Sequence, residues 1–225
     1  MIKLAQMSSR AHTLRDEHVP EELREFNTLE QRTADWWKRR SGKLSGSKLS
    51  QLFFLQSDKE WNEYRNEVFG TGPRKPLDAD AMVRVKFGVD NEPNALATLL
   101  HHCQDMHAWE VGFEIHPIHT FLGSSPDGIV HWPSGGGWAA LEIKCSTKKN
   151  AKGHSVPHVG VPYYYIPQLH AEMQCAQQPG MEGKCRSTIF VSYSQTITKI
   201  YRVHFNDELW AILWESMVRQ RRQWR

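Results

Sequence analysis

Asp127, introduced by Pro126, is followed after fourteen residues by Glu142 and then by Lys144, with Ile143 between them. If Trp138 to Cys145 is a strand, Leu141, Ile143 and Cys145 point to one face and Glu142 and Lys144 to the other, so an acid and a lysine stand side by side. A Gly-rich turn at 133–137 separates that strand from another at Gly128 to Trp132, and hairpin pairing brings Asp127 beside Glu142. Two carboxylates that converge repel, unless a hard cation such as Mg²⁺, which takes oxygen ligands and keeps several waters, lies between them. A water on such a cation beside Lys144 has its negative form stabilised, which suits it to attack a phosphodiester. An isolated Glu-x-Lys in a strand is ordinarily a solvated surface pair. The preceding Pro-Asp, the intervening hairpin and the upstream Glu92 weigh against that here.

The elements that must position these groups can be read from local pattern. Thr33 or Asp35 caps a helix through Trp36 to Arg40. After Gly42, the run Ser45-Gly46-Ser47 opens a second helix that continues through Leu49, Leu52 and Phe53. A helix start rich in Ser and Gly, with Arg and Lys just upstream, can hold a phosphate on its free N–H groups. Residues from Gly70 to Asp80 read as a loop. The next helix is expected to begin near Pro93, with Glu92 at or beside its cap and Leu96, Leu99, Leu100 and Cys103 as its buried stripe. Trp109 to His116 and Thr120 to Ser124 read as strands joined around Pro117. Ile166 to Gln177 reads as a helix, Ser187 to Ser194 and Thr196 to Phe205 as a closing hairpin. Asp207 to Arg222 reads as a last helix that buries Leu209, Ile212, Leu213 and Met217. A central β-meander with helices outside it indicates an α/β or α+β domain.

Composition excludes several classes. The chain has 225 residues, 40% hydrophobic and 24% charged, which is neither fibrous nor mainly disordered. No apolar run approaches the roughly 20 residues of a membrane span. The start, Met1 to Arg10, lacks a signal-peptide core, so an intracellular protein of the cytoplasm or nucleus is expected, with no membrane partner. Cys103, Cys145, Cys175 and Cys185 form no C-x-x-C pair and are expected as reduced, mostly buried thiols. His101, His102, His107, His116 and His119 lack a convincing zinc-ligand frame. The formal net charge is only +3, with 28 Lys and Arg against 25 Asp and Glu, but it is unevenly placed. Residues 1–30 carry six acids and four bases and read as an acidic arm, flexible or loosely docked, ahead of a single folded domain over 31–225. Bases gather at Lys38 to Lys48, Lys148 to Lys152 and Arg219 to Arg225, where they could meet phosphates.

Pro126-Asp127 with Glu142-Ile143-Lys144 resembles the PD-(D/E)xK nuclease signature, and the wider context resembles the lambda exonuclease or YqaJ-type viral recombinase family. Four stretches carry that likeness in order: Trp36 to Ser47, Phe87 to Ala95, Ser124 to Gly128 with Leu141 to Cys145, which hold the signature itself, and Tyr163 to His170. The resemblance implies a restriction-endonuclease-like core, a central mixed β-sheet flanked by helices. It implies a Mg²⁺-dependent exonuclease, with Mn²⁺ a further candidate, that digests one strand of linear duplex DNA from the 5′ end. The 3′ strand left behind would pass to a single-strand annealing protein in recombination or repair, and the enzyme would be a homo-oligomer, a ring-shaped trimer as in lambda. Carried over by position, Glu92, Asp127, Glu142 and the Ile143 carbonyl would hold the metal. Lys144 would activate the attacking water with support from Gln168. Arg40, Ser45 and Ser47 would bind the terminal 5′-phosphate. His170 stands where the lambda enzyme has a second Gln. The same core also serves endonucleases and RecB-like nucleases, and a catalytically inactive DNA-end-binding protein is a rival from another class.

Overall fold

The computed structural model describes residues 10–13, 19–53, 57–69 and 78–223. Most of the loop expected from Gly70 to Asp80, residues 1–9 and 14–18 of the expected arm, and Arg225 lie outside them.

A six-stranded mixed sheet forms the centre, in the order β1 (Ala11–Thr13), β3 (His107–Glu110), β6 (Gly128–Trp132), β7 (Gly137–Cys145), β8 (Ser187–Tyr193) and β9 (Thr198–His204). The β1–β3 and β7–β8 pairs are parallel and the rest antiparallel. A small second sheet sets β5 (Leu122–Ser124) between β2 (Leu44–Ser45) and β4 (Glu114–Ile115). The meander is therefore as the alternation suggests, except that Trp109 to His116 divides between two sheets. Pro117 lies in the connection between β4 and β5.

Helices cover both faces of the large sheet. On one, α4 (Ala79–His102) packs Ala95, Leu99 and Leu100 onto Val130, Leu141, Ile143, Ile189 and Val191. On the other, α5 (Ile166–Cys175) is buried nearly all round, because the α2 helix (Gly46–Leu49), the small sheet and α6 (Asp207–Gln223) close over it. Thr33 caps α1 (Ala34–Arg40) by accepting the Trp36 N–H, as expected. Helix α3 (Asp58–Phe69) adds Tyr64 to the same layer as α2.

Three expectations are corrected. Helix α4 starts at Ala79, capped by Asp78, whose Oδ1 accepts the Ala81 N–H at 2.6 Å, so Pro93 lies inside it rather than at its start. Pro93 removes one rung of the ladder, and the turns beyond it are held by the buried Leu99 and Leu100. Glu92 is consequently mid-helix and gains nothing from a helix N-terminus. Ile212 is 62% exposed, since the buried face of α6 runs through Leu213 and Met217, flanked by Leu209, Trp210 and Trp214. The described part of the first thirty residues is docked, not loose: β1 pairs along β3, and Leu23 and Phe26 are buried in a core cluster with Trp109 and Ile129. The four thiols are free, with Cys103, Cys175 and Cys185 buried. No helix among the described residues is long and apolar enough to cross a membrane.

Candidate active site

The β6–β7 register sets the centre of the site. Gly128 faces Leu141, and one step further the Asp127 N–H donates to the Leu141 carbonyl at 2.9 Å while Asp127 Oδ2 accepts the Ile143 N–H at 2.6 Å. Asp127 thus stands beside Glu142. As alternation requires, Leu141 and Ile143 pack under α4, and Glu142, 2% exposed, points instead toward α5. Lys144 Nζ pairs with Glu142 Oε1 and lies 5.2 Å from the Tyr165 ring centroid, a cation–π placement.

Gln168, at the start of α5, donates Nε2 to Glu142 Oε1 at 2.6 Å and to Glu172 Oε1 at 2.7 Å. Glu142 Oε2 and Glu172 Oε2 are buried with no hydrogen-bond partner. Glu92 reaches the same region from α4, where Arg32 Nη2 lies 3.6 Å from its Oε2. Arg32 has φ of 70°, uncommon for a residue with a Cβ. Next to it, Gln31 donates to the Pro126 carbonyl at 2.9 Å, and Trp36 Nε1 donates to Ser125 Oγ at 3.0 Å. The stretch before α1 and α1 itself therefore brace the loop that carries Asp127.

Crowding of acids shows in their protonation. Burial, then the neighbouring Glu142 and Glu92, push the Asp127 carboxyl well above its usual range. Burial also raises Glu92, with Arg32 opposing and Glu142 adding. For Lys144 burial favours the neutral amine, but the Glu142 and Asp127 carboxylates outweigh it and hold the ammonium above its usual range. Lys144 is thus a fixed cation at neutral pH, suited to orienting and stabilising negative oxygen.

Among the described residues no three His, Cys, Asp or Glu side chains are grouped closely enough to hold a metal ion as they stand. Asp127 and Glu142 are brought together, while Glu92 pairs with Arg32 instead of closing a triad. Like charges separate and take the nearest cationic or N–H partners. The donor set nevertheless fits a hard divalent cation in kind: it offers carboxyl oxygens, one of them the buried, unpartnered Glu142 Oε2, beside Asp127 and Glu92, whose carboxyls burial and neighbouring acids raise.

Arg40, Ser45 and Ser47 form a second cluster. Arg40 Nη2 donates to Ser45 Oγ at 2.7 Å and Ser47 Oγ at 2.9 Å, and the guanidinium lies over Trp36, 5.1 Å from its ring centroid. Gly46 between the serines allows close packing: a Cβ there would stand 2.8 Å from Ser124 Oγ and 3.5 Å from the Gln168 carbonyl oxygen. The Ser45–Ser47 turn is thereby seated on the start of the helix that carries Gln168.

His170 faces elsewhere. Its Nδ1 lies 2.9 Å from the Ile166 carbonyl oxygen and its Nε2 accepts the Asn206 N–H, tying α5 to the segment that enters α6. Lys148, Lys149, Lys152 and His154 are exposed on a small turn closed by the Lys149–Ser155 bridge, directly after the strand that ends at Cys145. In α6, Arg219 pairs with Glu215, and Arg221 lies over Phe121. His116 and His119 pack by Trp214, and His107 stacks with His12. The sequence reading missed Glu172, Arg32 and Tyr165. Glu172 had one signal, its spacing of four from Gln168, which puts both on one helix face.

The family model of the YqaJ-like viral recombinase domain matches residues 35–179. Among solved structures, an alkaline exonuclease from Laribacter hongkongensis, LHK-Exo, superposes with a TM-score of 0.64 at 22% identity, over 85% of this chain and 92% of that one. The same enzyme in complex with dAMP gives a TM-score of 0.66 at the same identity and coverage. These likenesses show a shared fold. A search of curated proteins finds no match.

Proposed function

The chain belongs to the family of the YqaJ-like viral recombinase domain, and from that premise we propose that it is a divalent-cation-dependent exodeoxyribonuclease. It digests one strand of linear duplex DNA from the 5′ end and leaves a 3′ single strand for recombination or repair. One observation carries the reading: Asp127, Glu142 and Lys144 converge at the open end of the β6–β7 hairpin with the Gln168 amide against Glu142.

Glu92, Asp127, Glu142 and the Ile143 carbonyl would hold the cation, Mg²⁺ or Mn²⁺. When bound, it supplies a Lewis acid for the scissile phosphate and its attacking water. Lys144, held as an ammonium, orients the attacking oxygen and stabilises charge that develops on it. Gln168 fixes the Glu142 carboxylate by donating to Oε1, so that Oε2 stays available. Arg40, already aligned on Ser45 and Ser47, offers N–H donors and a full charge to a terminal 5′-phosphate, with the two hydroxyls as further donors.

The test is digestion of 5′- and 3′-labelled linear duplex with Mg²⁺, beside closed circular duplex. Early release of the 5′ label and intact circles support the proposal. Cutting of circles at the rate of linear DNA would replace it with an endonuclease, and binding of ends without release of nucleotides with an inactive end-binding protein. The ring-shaped trimer and the annealing partner are carried by family resemblance. Light scattering in solution tests the trimer.

A further inference from the structure

Glu172 lies one helical turn beyond Gln168 on α5 and is completely buried, although a carboxyl is almost never fully buried unless paired. Its Oε1 accepts Gln168 Nε2 at 2.7 Å, and the same nitrogen donates to Glu142 Oε1 at 2.6 Å. A carboxamide nitrogen has two protons, and these two acceptors use both. The amide is therefore held with its nitrogen between the carboxyls and its carbonyl oxygen turned away. Were it to turn over, an oxygen lone pair would face Glu142 where a proton now lies.

We infer that Glu172 is a positioning residue for the proposed nuclease site: it locks the Gln168 amide in the orientation that steadies Glu142, and through Glu142 the cation site and Lys144. Ordinary core filling does not account for a carboxyl here. Glu172 Oε2 is buried without a partner, which costs stability that a leucine would not cost. The inference rests on the proposed nuclease, on its cation site for the affinity measurement and on its DNA cleavage for the rate measurement only, and cation affinity can be read without DNA.

The experiment compares the unmodified chain with Glu172→Leu, Glu172→Gln, Gln168→Ala and the Gln168→Ala/Glu172→Leu double variant. Mn²⁺ affinity is measured by calorimetry without DNA, kcat and KM on linear duplex, and Tm by calorimetric melting. Glu172→Leu is expected to lose about tenfold or more in Mn²⁺ affinity and in kcat with KM for DNA unchanged, while its Tm holds or rises. Glu172→Gln keeps a carbonyl acceptor for Gln168 and restores most of both losses. On the Gln168→Ala background, Glu172→Leu should cost no more than about twofold further, since its effect passes through the missing amide.

Mn²⁺ affinity of Glu172→Leu within about twofold of the unmodified chain overturns the inference, as does full additivity with Gln168→Ala. So does a Glu172→Gln variant as impaired as Glu172→Leu. Should Glu172→Leu fail to fold, Glu172→Ala takes its place in the same cycle. An unmodified chain that binds Mn²⁺ but cuts no DNA overturns the proposed nuclease and leaves the affinity cycle to decide on Glu172. One that binds no Mn²⁺ overturns both.

Discussion

Asp127 Oδ2 accepts the backbone N–H of Ile143 at 2.6 Å, so a side chain supplies the next rung of the hairpin beyond the Gly128–Leu141 pair. In an extended strand the N–H and C=O of one residue point to the same neighbour. The Ile143 carbonyl therefore faces the side on which Asp127 stands, while Glu142 and Lys144 turn out of the sheet toward α5. One bond thus gathers a carboxylate, a backbone carbonyl and the Glu142–Lys144 pair at one strand end.

Lys144→Ala removes the only cation paired with Glu142 among the described residues. Cleavage of linear duplex should fall about a hundredfold to a thousandfold, as when one preorganised charge-stabilising donor is lost. Mn²⁺ affinity, read by calorimetry, should hold, because the oxygen donors remain. Loss of Mn²⁺ binding together with cleavage would instead make Lys144 a structural support of the carboxylates.

Arg40→Ala should act on end recognition, not on the chemical step. Hydrogen bonds to a charged group contribute about 1.5–3 kcal/mol, so preference for a 5′-phosphate over a 5′-hydroxyl end should drop by roughly tenfold to a hundredfold. Arg40→Lys keeps the charge but cannot donate to Ser45 and Ser47 through one planar fork, and should fall between. Initial rates on matched phosphorylated and hydroxyl duplexes measure it. Equal rates on the two ends by the unmodified protein would remove this role.

The hairpin, and with it the placing of Asp127 beside Glu142 and Lys144, was legible because its signals are local: alternation in 138–145, a Gly-rich turn, and Pro-Asp at the strand start. A cap at Thr33 or Asp35 was legible for the same reason, and the structure selects Thr33. The start of α4 was not. Its first turns expose Met82 and Val85, so they show no buried stripe, and Pro93 imitated a helix beginning. Glu172 looks like any surface acid until the layers around α5 are assembled. The Arg32–Glu92 pair spans sixty positions and leaves no local trace. The triad expected from Glu92, Asp127 and Glu142 depends on side-chain charge balance, which spacing alone does not report.

Glu114 should control part of the pH dependence of stability. Burial raises its carboxyl from 4.5 to about 7, with the Asn27 N–H and Arg39 opposing. In the window from about pH 4.5 to 7 the folded chain holds this proton more tightly than the unfolded chain, so stability falls as pH rises and levels above 7. A shift of that size corresponds to a penalty on the order of 3 kcal/mol at pH 8. Glu114→Gln keeps an acceptor for the Asn27 N–H, whose present bond is 2.8 Å, and carries no charge. Its Tm should exceed that of the unmodified chain at pH 8 and match it near pH 4.5. An equal gain at both pH values would trace the effect to packing.

The same sign applies at the proposed cation site, where a ligand can reverse it. Burial and neighbouring acids raise the Asp127 carboxyl, and burial raises that of Glu92, above their usual 3.8 and 4.5. As pH climbs from those values through the raised ones, ionisation inside the fold becomes costly, and the cation-free chain loses stability. A divalent cation binds the ionised oxygens, so at low pH it must displace protons and at high pH it need not. Mg²⁺ should therefore raise Tm more at pH 8 than at pH 5.5, and chelation should reverse the gain. At a hundred times its Kd the stabilisation is about 2.7 kcal/mol, a shift of roughly 5–10 °C for a domain of this size. Asp127→Asn leaves the hairpin an oxygen acceptor for the Ile143 N–H but removes a charged donor, and should abolish most of the Mg²⁺ response while lessening the loss of stability at high pH. A Mg²⁺ response that is larger at pH 5.5, or unchanged in Asp127→Asn, would place the cation away from these carboxyls.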